Sequence, residues 1–170
     1  VMATASGPEG TPTILYYGHY DVQPPDPIDL WDSPPFEPTI IEGDKGQRVV
    51  ARGAVDDKGQ LMTFVEAFRA WYQVHGSYPC SIKIMLEGEE ESGSPSLDGF
   101  IEQARDKLAS DVCIVCDTGM WDIETPAITT MLRGLMYLDI VLEGPDKDLH
   151  SGMYGGTLVN PLNALTSMLG

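Results

Sequence analysis

Short apolar runs alternate with two amphipathic stretches along this chain, and that alternation restricts the fold more than any other feature. Thr13–Tyr17 is apolar and β-branched or aromatic, which predicts a strand. Leu61, Val65, Phe68 and Tyr72 recur at helical spacing, which predicts an amphipathic helix from about Lys58 to His75. Gly76 closes it at the position that favours a left-handed backbone. Ser81–Glu87 alternates, with Ile82, Ile84 and Leu86 on one side. Leu97, Phe100, Ile101, Ala104 and Leu108 form a second helical stripe, and Pro95 suits that helix's first turn. Val112–Cys116 is a continuous apolar run, as expected of a central strand covered on both faces. This order predicts an α/β layered domain with a mixed, partly parallel sheet flanked by helices. Sites in such sheets lie beyond the carboxyl ends of the strands.

The remaining segments are less regular. Residues 22 to 38 contain six prolines, which excludes helix and central strand and predicts a stiff loop, with Trp31 and Phe36 pinning it to the body. Arg48–Arg52 reads as a second short strand. Near Arg133 the pattern changes. Leu135–Glu143 alternates as a long strand, a glycine-rich loop follows, and Asn160-Pro161 reads as the start of a helix. These features predict two domains, residues 1–131 and 132–170. Val1 begins without an obvious start and Gly170 stops inside a helical pattern, so both ends read as cut.

Composition narrows the functional classes. Twenty-six acidic residues against 10 basic ones give a formal net charge of -16. That argues against nucleic acid and anionic membrane surfaces, whose affinity comes from Lys and Arg. No run approaches the ~20 apolar residues of a membrane helix. The first residues lack the pattern of a secretory signal. Three unevenly spaced cysteines do not form a disulfide framework and suggest a reducing cytoplasm. Cys113 and Cys116 read as buried small hydrophobes, because residues three apart on a strand face opposite ways. No Gly-x-Ser-x-Gly elbow or Gly-Lys-Ser/Thr phosphate loop occurs.

The candidate chemistry is carboxylate and imidazole. His19, Asp21, Asp56, Glu90, Glu91 and Asp117 follow apolar runs, where predicted strands end. Oxygen and imidazole donors gathered at strand ends suit a divalent cation. His19-x-Asp21 supplies a ligand and the carboxylate that fixes its tautomer. Each piece also has an ordinary role: a satisfied structural histidine at His19, a helix N-cap at Asp56, a solvated acidic loop at Glu89–Glu91. Beside a metal, two adjacent glutamates can divide the work, one as ligand and one as proton acceptor. Asp117 directly follows a buried strand, where an unpaired carboxylate would be costly.

Together, His19-x-Asp21, Gly53-x-x-Asp56-Asp57-Lys58-Gly59, Glu90-Glu91-Ser92-Gly93-Ser94, Asp117 and Asp148-Leu149-His150-Ser151-Gly152 resemble the carnosinase and glutamate carboxypeptidase family of co-catalytic zinc peptidases. Trp31–Phe36 is similar to the bacterial dipeptidase branch. The resemblance implies a zinc-exopeptidase-like domain followed by the start of an α+β lid or dimerisation domain. It implies two Zn2+, with Mn2+ or Co2+ as possible substitutes. His19 and Asp117 would hold one, Asp56 would bridge both, and Glu91 would hold the second. Asp21 would orient His19, Glu90 would be the general base, and the Asp56–Asp57 peptide would be cis. His150 would contact the substrate of the partner subunit in a homodimer. The implied reaction is hydrolysis of a dipeptide or short-peptide amide by zinc-activated water. Deacylation of an N-acyl amino acid on the same centre is the alternative, and a non-catalytic module that keeps the fold is a further one. The family's second zinc takes another histidine from far downstream. His75 does not match that motif and reads as a surface residue, so these 170 residues alone are expected to be inactive.

Overall fold

The computed structural model describes residues 1–170. They form two compact units, Val1–Thr129 and Thr130–Gly170.

The first unit is built on a four-stranded sheet. Its strands are β1 (Met2–Ala5), β2 (Thr13–His19), β5 (Ser81–Glu87) and β6 (Val112–Val115), in the order β1-β5-β2-β6. β2 runs parallel to both β5 and β6, and β1 is antiparallel to β5. The sheet is thus mixed, as the alternation of elements predicts. Between β2 and β5 lie a separate hairpin, β3 (Thr39–Gly43) with β4 (Gly46–Val50), and the helix α1 (Lys58–His75). The helix α2 (Leu97–Leu108) joins β5 to β6.

Successive residues of β2 face opposite ways and meet different helices. Leu15 packs in a buried cluster with Met85 of β5 and Ala104 and Leu108 of α2. Tyr16, fully buried, stacks on Phe64 of α1, the ring centroids 3.8 Å apart. Phe64 in turn meets Phe68 edge-on, and Phe68 and Tyr72 meet Tyr78. β2 therefore lies between a helix on each face.

Several expectations need correction. β6 is an edge strand, not a central one, and its Val112, Cys113 and Val115 are exposed while Cys116 is half-buried. Apolar continuity records what a strand can bury, not what covers it. The second short strand spans Gly46–Val50 and pairs with β3, outside the parallel sheet. Asp56 therefore lies in the turns that lead into α1, not at a sheet strand's end. Pro95 precedes α2, whose N-cap is Ser96. Trp31 braces the proline loop from within, donating Nε1–H to the Pro25 carbonyl at 2.8 Å, and meets the residues beyond it by lying under the Arg52 guanidinium. Phe36 is exposed and pins nothing.

The second unit carries a short helix α3 (Ser151–Tyr154) and a longer α4 (Pro161–Leu169). The Asn160 side chain caps α4 by accepting from the Leu162 N–H at 2.9 Å. Leu135–Glu143, expected as a strand, has no regular structure, because the unit contains no second strand to pair with it.

Candidate metal centre

Strand order determines which side chains meet. β2 lies between β5 and β6, so its end is flanked by the segments that leave both neighbours. His19 is the last residue of β2 and stands in register with Glu87, the last residue of β5. Just beyond β5, a single 3-10 turn at Glu90–Ser92 carries the paired glutamates. Asp117 follows β6. Asp56 lies in the turns just before α1.

The His19 ring is buried at the centre of this convergence. Its Nε2 stands 3.1 Å from Asp56 Oδ1 and 3.9 Å from Asp117 Oδ2. Its Nδ1 stands 3.3 Å from Asp21 Oδ1, without the alignment of a hydrogen bond. His19, Glu90 and Asp117 each offer a ligand atom, and the three atoms lie within 4.8 Å of one another. Of the seven residues singled out by sequence, His19, Asp21, Asp56, Glu90 and Asp117 thus come together directly. Glu91 lies outside the three-residue cluster. Its backbone N–H donates to Asp21 Oδ2 at 3.0 Å, and its Oε2 accepts from the Gln23 amide at 2.8 Å. His150 belongs to the second unit, where its Nδ1 accepts the Gly152 N–H at 3.1 Å and the residue is exposed. The Asp56–Asp57 peptide is cis.

Two contributors were not singled out by sequence. Asp57 is fully buried and its Oδ2 accepts the His19 backbone N–H at 3.2 Å. Gln23 donates to both the Glu91 carboxylate and the Glu91 carbonyl. The spacing of His19, Asp21 and Gln23, each two apart, was the signal for the latter. The close approach of Asp57 needs Gly18, because a Cβ there would stand 2.9 Å from Asp57 Oδ2 and 3.0 Å from Tyr16 Oη.

Electrostatics follow from crowding like charges with little water. Burial raises the Glu90 pKa, as do the Asp117, Glu91 and Asp21 charges, against the opposing pull of His19. Burial likewise raises that of Asp57, although the His19 N–H favours its ionised form. For His19, burial disfavours the imidazolium, but the surrounding carboxylates outweigh it and the pKa is raised.

This donor set fits a divalent cation. Imidazole and carboxylate oxygens converge, and none of the carboxylates is paired with Lys or Arg. Buried acceptors also lack partners: His19 Nδ1, Asp21 Oδ1 and Asp57 Oδ1 make no hydrogen bond. Fold and site together define an α/β domain with a candidate divalent-cation site off the carboxyl ends of its parallel strands. Residues 15–155 match the model of Peptidase family M20/M25/M40, and the chain belongs to that family. It is 38% identical over 159 residues to the Cys-Gly metallodipeptidase of Schizosaccharomyces pombe, covering 92% of this chain and 33% of that one. It is 36% identical over 160 residues to the Beta-Ala-His dipeptidase of Homo sapiens, covering 93% of this chain and 31% of that one. Among solved structures, human carnosine dipeptidase 1 superposes with a TM-score of 0.63 at 30% identity, over 99% of this chain and 35% of that one. An M20 family metallo-carboxypeptidase from Sulfolobus solfataricus superposes with a TM-score of 0.61 at 39% identity, over 70% of this chain and 26% of that one. The chain spans about a third of the length of the curated relatives it matches.

Proposed function

We propose that the protein hydrolyses the amide bond of a dipeptide or short peptide with two divalent cations, zinc by preference. The observation that carries this reading is the buried His19 ring held between Asp56 and Asp117, with Glu90 in the same cluster. The names of the metallodipeptidase relatives support the substrate class. His19 and Asp117 would hold one cation, Glu91 the other, and Asp56 would lie between them. Bound there, the cations supply Lewis acidity, polarising the scissile carbonyl and lowering the pKa of water.

The protein's own groups divide the remaining work. Asp21 lies against the His19 ring with one oxygen and accepts the Glu91 N–H with the other, so one carboxylate ties two loops to a common position. Gln23 holds the Glu91 side chain. Glu90 takes a proton from the attacking water. As the C–N bond breaks, Glu90 returns that proton to the leaving amine nitrogen. Burial and the neighbouring carboxylates raise its pKa, which makes it a stronger base toward that water than a solvated glutamate would be. His150 would contact substrate across a homodimer, as its motif implies. A reducing cytoplasm fits the three unpaired cysteines.

Two substitutions in the full-length protein test the division of roles. Glu90→Gln is expected to lower kcat by about 10²–10⁴ while zinc content per chain stays unchanged. Glu91→Gln is expected to lose roughly one of the two cations. Near-wild-type turnover of Glu90→Gln removes the proton-transfer assignment. Side-by-side rates on dipeptides and on N-acyl amino acids decide the substrate class, and faster cleavage of the acylated compounds overturns the dipeptide reading. Size-exclusion chromatography of the same protein tests the homodimer.

A further inference from the structure

His19 and Asp57 are the two buried polar residues of the chain, and the reaction proposed above gives a role to His19 alone. Asp57 is fully enclosed, yet no Lys, Arg or His forms an ion pair with it. Lys58, next in sequence, turns its Nζ to the Tyr20 carbonyl at 2.7 Å instead. One Asp57 oxygen accepts the His19 N–H at 3.2 Å and the other has no partner. Asn at this position would keep the acceptor and avoid burying a charge. For stability alone the carboxylate is therefore the worse choice. Its charge gains a use only if something positive comes to rest nearby, and the residue it holds, through the backbone N–H, is His19.

We propose that Asp57 is a positioning residue whose buried, unneutralised carboxylate anchors the His19 backbone and strengthens divalent-cation binding by its negative charge, without serving as a ligand. The anchor fixes the end of β2 against the start of α1, which is the junction that puts Asp56 Oδ1 3.1 Å from His19 Nε2. The charge lies where little water screens it, so it acts on a neighbouring cation more strongly than a surface carboxylate would. The metal-free protein bears the cost of that buried charge and the loaded protein recovers it.

This inference rests on the reading of the site as a divalent-cation centre, and the test separates the two. Zn2+ affinity of full-length wild type and Asp57→Asn is measured by competition with a chromophoric chelator, and thermal unfolding of both is followed after metal removal. Asp57→Asn is expected to bind Zn2+ about 10–100-fold more weakly, the range for groups that act behind a ligand. Its metal-free unfolding midpoint is expected to equal or exceed that of wild type. Opposite movement of the two readouts is what a purely structural role would not produce. Unchanged affinity overturns the proposal, and so does a lower metal-free midpoint or failure to fold. Absence of Zn2+ binding by wild type would instead overturn the reading of the site itself.

Discussion

At His19 a single ring is addressed by carboxylates from three other segments, and this crowding depends on one missing side chain. Gly18 leaves the space into which Asp57 Oδ2 and the Tyr16 hydroxyl close, at 2.9 and 3.0 Å from where a Cβ would stand. Both neighbours are buried, so neither can swing into solvent to make room. Gly18→Ala is expected to cost about 1–3 kcal/mol, the usual penalty for overfilling a packed region, measurable by denaturant unfolding. It is also expected to weaken Zn2+ binding, because the displaced Asp57 no longer holds the His19 backbone. A substitution with wild-type stability would show that the junction can yield without loss. The local part of this site was legible in the sequence. His19-x-Asp21 spells out an imidazole and its neighbouring carboxylate, and the structure sets them 3.3 Å apart. Asp57 was not legible as a contributor, because adjacent acids before a helix look alike until burial distinguishes them. Asp57 is enclosed, whereas most of the Asp56 side chain is exposed.

Among the elements, α1 was the most readable. Its apolar spacing and its terminal glycine predict Lys58–His75, and those are its bounds. Gly76 adopts φ 69°, and a Cβ there would meet nothing within 4 Å. Gly76→Ala therefore isolates the cost of a left-handed backbone, expected at about 1 kcal/mol by denaturant unfolding, with zinc affinity unchanged. The misread elements failed for a common reason. β6 lies at an edge and Leu135–Glu143 forms no strand, since both outcomes depend on which segments lie alongside rather than on the residues themselves. The same holds for the distances between loops. They follow from the order β5-β2-β6, which a pattern of apolar residues does not specify.

For the molecule as a whole, acidity couples stability to pH and to cations. The pKa values of Glu90, Asp57 and His19 all lie above their ordinary values in the folded protein. The native state therefore holds more protons than the unfolded chain between the ordinary and the raised values. Stability must then fall as pH rises through that interval. The metal-free protein is expected to unfold at lower temperature near pH 8 than near pH 6. Saturating Zn2+ should raise the midpoint more at the higher pH, where protons no longer compete for the same donors. A midpoint that does not change with pH in the metal-free protein would refute the coupling. One further property follows from the order of the strands. β1 and β6 each turn an unpaired row of backbone N–H and C=O groups outward, and β6 presents exposed valines beside its row. Such a margin invites any extended peptide to add itself by hydrogen bonding, so these 170 residues on their own should form turbid, sheet-rich precipitates at high concentration.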